Sequence, residues 1–211
     1  MTDDIPLRAD AQRNRERLLA AAEAVFLERG ADASMDDVAR RAGVGIGTLY
    51  RRFPTREALL AAAYSARFLA LAAASQARTE ESNPPGPLQA LRAYLHELVA
   101  QTSVYRGLAA SLGAVLQSGT PGCEATIQEG QRLLKEAQAS GVVRGDVTFD
   151  DLVVVIMAAS LATDVAPAAG SRIDHLIGLF IDGVALRGPQ ASGKAPATAR
   201  RRTPAKRATP G

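Results

Sequence analysis

The chain of 211 residues carries 25 Lys plus Arg against 22 Asp plus Glu, and 47% of it is apolar, which fits one or two globular domains and excludes disorder throughout. Aromatic residues make up only 4%, Trp is absent and Ala supplies much of the apolar content, so closely packed helices are expected and an all-β fold is disfavoured. The net charge of +3 is unevenly spread: residues 1–60 hold ten basic and ten acidic side chains, 61–186 hold eight and twelve, and 187–211 hold seven and none. The basic excess belongs to the tail and is no argument that the folded body binds nucleic acid.

In chain order, residues 1–10 carry acids and no apolar leader, and they read as a disordered arm. The first helix is expected over 11–28, where Leu18, Ala22, Val25 and Phe26 recur on one face and Gly30 follows as a stop. Ser34 can cap a second helix that runs to Ala42, with Asp36 and Asp37 complementing the dipole of its first turn. Gly43 and Val44 make a tight turn, and 45–53 form a short third helix before Pro54. Thr55 then caps a long Ala-rich helix reaching Arg78.

The Pro-rich stretch 80–87 is a loop, and apolar-periodic helices follow at 88–102, 104–118, 123–139, 149–163 and 171–186. The longest apolar run, 152–159, is too short to span a bilayer. From 188 onward the Ala, Pro and Arg-rich sequence lacks apolar anchors and reads as a disordered basic tail. That tail either binds DNA phosphates without sequence preference or is a solubilising extension. The fold expected is all-α: a three-helix helix-turn-helix unit over 11–56, then a helical bundle over 57–187.

Cys123 is the single cysteine, so no internal disulfide forms, and with only His96 and His175 beside it no structural zinc site is complete. No metal or cofactor is expected, and a reducing cytoplasm fits best. No phosphate loop, nucleophile motif or His/carboxylate cluster supports an enzyme.

On periodicity alone the unit over 34–53 reads either as a structural helical hairpin or as a DNA-binding helix-turn-helix. The string from Met35 to Leu60 closely resembles the N-terminal signature of TetR-family transcriptional regulators. The resemblance rests on Val38-Ala39, Ala42-Gly43-Val44, Gly47-Thr48-Leu49-Tyr50, Phe53, and Arg56 to Leu59. It departs from the commonest pattern at Gly45, where Ser is usual, at Arg52, where His or Tyr is usual, and at Arg56, where Lys is usual.

A helix entering the major groove needs short side chains at its N-terminal end and phosphate partners on its flanks. Gly45 and Gly47 permit close approach, Thr48 can reach a base edge or phosphate, and Arg51 can pair with guanine O6 and N7. Ile46 either touches a thymine methyl or is buried against the first helix. Arg52 adds charge, while the resemblance places Tyr50, Arg56 and Ser34 on backbone phosphates. Leu49, Phe53, Val38, Ala39 and Leu18 are expected in the core. Arg15, Arg17, Arg40 and Arg41 are read as solvated.

The resemblance implies a C-terminal ligand-binding and dimerisation domain, with double-stranded operator DNA, a second copy of the chain and a small-molecule effector as partners, and no membrane. Candidate pocket residues are Tyr64, Phe68, Tyr94, Leu98, Tyr105, Leu108, Leu112 and Leu116, with His96, Arg106 or Gln117 as polar anchors; simple core burial is the alternative for each. The last two helices offer a dimer bundle through Leu152, Val155, Ile156, Ala159, Ile173, Ile177, Phe180, Ile181 and Val184, or else bury these residues within one chain. The function expected is a ligand-responsive operator-binding regulator, a repressor by resemblance; the alternative is an architectural DNA-binding protein with no effector.

Overall fold

The computed structural model describes residues 4–104, 107–165 and 169–186, the side chains of 4–11 and 163–171 excepted. Nine helices appear among the described residues: α1 (Asp4–Arg29), α2 (Met35–Ala42), α3 (Ile46–Arg52), α4 (Arg56–Thr79), α5 (Pro87–Ser103), α6 (Leu108–Leu116), α7 (Pro121–Ala139), α8 (Phe149–Val165) and α9 (Ala169–Val184). Among the described residues, extended pairing is limited to one bridge, Val143 with Ala185, backed by bonds from Arg144 N to Val184 O and from Leu186 N to Val142 O. The tail beyond 186 lies outside the described residues.

The helix order is the one expected, with shifted boundaries, among them α8 ending at Val165 rather than 163, α9 at Ala169–Val184 rather than 171–186, and the starts of α1, α6 and α7. α1 begins at Asp4, not at Ala11: Pro6 falls in the first turn, where its missing amide hydrogen has no intrahelical acceptor. α6 begins at Leu108 because Gly107 has φ +82, which ends the segment expected to start at 104. α7 begins at Pro121, a residue suited to a helix start, with the Thr120 hydroxyl capping Cys123 N.

Helices α1 to α3 form a compact head whose core is Leu18, Ala22, Val25, Phe26, Val38, Ala39, Leu49 and Phe53, all buried as expected. α4 leaves the head and forms the spine of the body. Its length and apolar composition match a membrane span, which the sequence reading missed, but Leu59, Leu60, Tyr64, Phe68 and Leu71 are buried inside the protein.

α7 runs alongside α4 in the same direction. Gly122 abuts Ser65, Thr126 Oγ1 reaches Phe68 O, and Glu129 accepts a bond from Ser75. A β-carbon at Gly122 would lie 2.1 Å from Ser65 O, so glycine is what lets the two helices touch. α5 packs on α7, α8 and α9, and Thr102 and Ser160 share a buried hydroxyl contact of 2.7 Å between α5 and α8.

Candidate nucleic-acid interface

The turn between α2 and α3 is built by Gly43, whose φ of +68 would strain any residue with a side chain. Its amide bonds Arg40 O and that of Val44 bonds Ala39 O, closing the last carbonyls of α2. Gly45 then caps α3 through its own carbonyl, which accepts from Thr48 N and Leu49 N. Ser34 Oγ accepts from Asp36 N at 3.1 Å and starts α2.

Burial of Leu49 and Phe53 fixes the rotation of α3, so that Ile46, Gly47, Thr48, Tyr50, Arg51 and Arg52 all face outward. Ile46 is 38% exposed and Tyr50 48%, which settles the choice left open for Ile46 against burial under α1. Nothing lies within 4 Å of a β-carbon built at Gly45 or Gly47, leaving open approach at the start of the helix. Arg51 Nη2 donates to Thr48 Oγ1 at 3.2 Å, which holds the guanidinium along the exposed face.

The electrostatics separate α2 from α3. Arg40 and Arg29 both pair with Asp37, and Arg41 pairs with Glu28, whose carboxyl is held below its usual range by the Arg41 hydrogen bond. Arg51 and Arg52 meet no carboxylate within 4 Å among the described residues. Positive charge is thus neutralised on α2 and left available on α3, as an element facing phosphates requires.

Arg56 departs from the expectation of a phosphate contact. Its Nη1 donates to Ala31 O at 2.9 Å and to Ala33 O at 2.6 Å, turning the side chain inward onto the loop between α1 and α2. Those carbonyls precede the capped start of α2 and have no helical partner, and a single long cation satisfies both. A second link between head and body was also missed: Arg67 on α4 grips Glu23 on α1 through Nε and Nη2. Neither has a local sequence signal, since the pairs are 23 or more residues apart.

For the candidate pocket residues of the body, core burial was the alternative given for each, and most of them are buried. Tyr64, Phe68, Tyr94, Leu98, Leu108, Leu112 and Leu116 pack together as core. Tyr94 donates to Thr126 O at 2.6 Å, and burial pushes its phenol well above the ordinary range, so it is a structural donor. His96 stands apart, lining a cleft of about 270 Å³ between α5 and α9 with Arg92 and Asp174; its Nε2 lies 3.0 Å from Asp174 Oδ1. Gln117 is exposed at the end of α6, and Tyr105 and Arg106 lie outside the described residues.

Of the residues assigned to a dimer face, Leu152, Ile156, Ala159, Ile173, Ile177, Ile181 and Val184 are buried within the chain, and Val155 and Phe180 are half-buried. Among the described residues, the large apolar side chains left outward on α8 and α9 are Val154 at 63% exposure, Leu161 at 42% and Leu179 at 57%. Because 152–159 is apolar on every side, its pattern did not say which face points inward.

Residues 18–63 match the family model for bacterial regulatory proteins of the tetR family, and residues 86–186 match that for the C-terminal domain of SbtR-like transcriptional regulators. The TetR transcriptional regulator SCO0520 of Streptomyces coelicolor is 34% identical, with 82% of this chain and 99% of that one covered and a TM-score of 0.48. The transcriptional repressor KstR of Rhodococcus jostii is 27% identical over 193 residues, 83% of this chain and 88% of the relative. Thermus thermophilus FadR, a repressor solved with lauroyl-CoA, is 22% identical over 85% of this chain and all of that one, and shares the fold at a TM-score of 0.57. The chain belongs to the TetR family of bacterial transcriptional regulators.

Proposed function

We propose that the protein is a repressor that binds a pseudo-palindromic DNA operator as a homodimer, through the outward face of α3, and is released by a small molecule. The observation that carries this is the pair of guanidiniums, Arg51 and Arg52, without carboxylate partners among the described residues, beside the open start of α3 and the exposed Tyr50. Ile46, Gly47, Thr48 and Arg51 then face base edges, while Tyr50, Arg52 and Ser34 face phosphates. One such short helix contacts too few base pairs for specificity, which two-fold pairing of heads remedies. Val154, Leu161 and Leu179 supply an apolar face for that pairing, with Val155 and Phe180 at its margin.

The effector proposed is apolar, because the body interior around Tyr64, Phe68, Leu98, Leu112 and Leu116 is apolar. Such a ligand must open the packed interior, and it releases DNA only if it binds the opened state more tightly than the closed one. The same dense interior favours a second reading, a ligand-free body used for dimerisation alone.

Light scattering of the complex with a DNA duplex selected from a random pool, then titration with lauroyl-CoA and shorter acyl-CoA thioesters, tests both. Two chains per duplex and dissociation at saturating thioester support the repressor. Two chains per duplex with no dissociation favour the second reading, and one chain per duplex overturns the dimer.

A further inference from the structure

Three polar side chains of α5, Gln89, Arg92 and His96, recur at i, i+3 and i+7 and so share one face of the helix. With Asp174 and Ile177 of α9 they line the cleft of about 270 Å³ on the outside of the body. Its charges are unequally matched. Both acids at the cleft are engaged, Glu97 with Arg78 of α4 at 2.9 Å and Asp174 with His96 at 3.0 Å. Arg92 meets no carboxylate within 4 Å among the described residues.

The Arg92 guanidinium is nevertheless held in place. A β-carbon built at Gly178 of α9 would lie 3.4 Å from Arg92 Nη2, so the fork is laid against α9 at a position with no side chain. A planar fork of N–H donors without a partner matches the two oxygens of a carboxylate. The nearby carboxylates of Glu97 and Asp174 repel a second negative charge, which favours a monoanion over a phosphate. The volume falls just below the range of about 300–1,000 Å³ that drug-sized ligands fill, so the molecule that fits is small. Ile177, buried in the wall, gives its carbon skeleton an apolar contact.

We propose that the cleft between α5 and α9 is a binding site for a small monocarboxylate, gripped by Arg92 across Gly178 and oriented by Gln89 and His96. The site is separate from the apolar interior proposed for the effector, and it does not depend on how α3 is used. A carboxylate bound there ties α5 to α9 and stabilises the folded chain by mass action.

The test titrates full-length protein with benzoate, and with benzamide as its uncharged analogue, by calorimetry at fixed ionic strength with thermal unfolding alongside. Benzoate is expected to bind once per chain with a millimolar dissociation constant and to raise Tm, and benzamide to bind about tenfold more weakly or less. Arg92→Gln and Gly178→Leu are each expected to weaken benzoate about tenfold, the first by removing the charge and the second by filling the place where the guanidinium lies. Lys135→Gln, which removes an exposed cation from α7, is expected to leave benzoate binding unchanged.

No saturable benzoate binding, equal binding of benzamide, or native affinity in either cleft variant overturns the proposal. So does a loss in Lys135→Gln as large as that in Arg92→Gln, which marks general attraction of anions to a basic protein. Should Gly178→Leu fail to fold, Arg92→Gln carries the test, since its side chain is exposed on the surface of α5.

Discussion

The carboxylate of Glu129 on α7, wholly buried, accepts a 2.6 Å hydrogen bond from Ser75 Oγ on α4. Arg132, one turn along α7, donates to both carboxylate oxygens and also to Glu136. Burial alone pushes the Glu129 carboxyl up, but the bonds from Arg132 and Ser75 outweigh it and hold the group below the usual carboxylate range. The charged form is therefore favoured by folding, so its stabilisation is present at neutral pH and is lost as pH falls below about 4.3 and through the folded value. Glu129→Gln is expected to cost about 1–3 kcal/mol at pH 7, with the gap to wild type narrowing below about pH 4. Urea midpoints at both pH values check this, and a gap independent of pH contradicts it.

The contact of Gly122 with Ser65 gives a second test, directed at the packing of α7 on α4. Gly122→Ala places a methyl group where Ser65 O already lies, and the helices must separate or the backbone must bend. A loss of about 1–3 kcal/mol is expected, seen as a fall in Tm of several degrees, with DNA contacts untouched.

For the outward apolar face, Val154→Glu combined with Leu179→Glu is expected to give a folded monomer by light scattering, with operator affinity lost. Ile156→Glu, two positions along on the buried side of α8, is expected to prevent folding instead. A dimer persisting in the double variant places the interface elsewhere.

Arg52 and Arg56 divide two roles that sequence alone did not separate. Arg52→Ala is expected to lower the salt slope of binding by about one, as loss of a phosphate contact does. Arg56→Ala is expected to weaken binding at constant slope, because its guanidinium holds Ala31 O and Ala33 O. A slope reduced by both variants would return Arg56 to the DNA surface.

These contrasts show where sequence is informative. The inward faces of α1 to α3 were legible because Leu18, Ala22, Val25, Phe26, Val38 and Leu49 recur at helical spacing, and the outward face of α3 follows as their complement. In α8 the signal fails, since an apolar residue at every position from 152 to 159 leaves the rotation of the helix undetermined. Contacts such as Arg56 with Ala31 and Ala33, or Arg67 with Glu23, join residues far apart in the chain and carry no periodicity.

The central claim, that the outward face of α3 reads base edges, is tested most directly by selecting DNA from a random pool with wild-type protein and with Arg51→Ala in parallel at physiological salt. The wild type is expected to enrich a two-fold-symmetric motif. Arg51→Ala should enrich the same motif with preference relaxed, by about 1–3 kcal/mol, at one symmetry-related pair of positions. Identical profiles from the two proteins, or no enrichment by either, would contradict it.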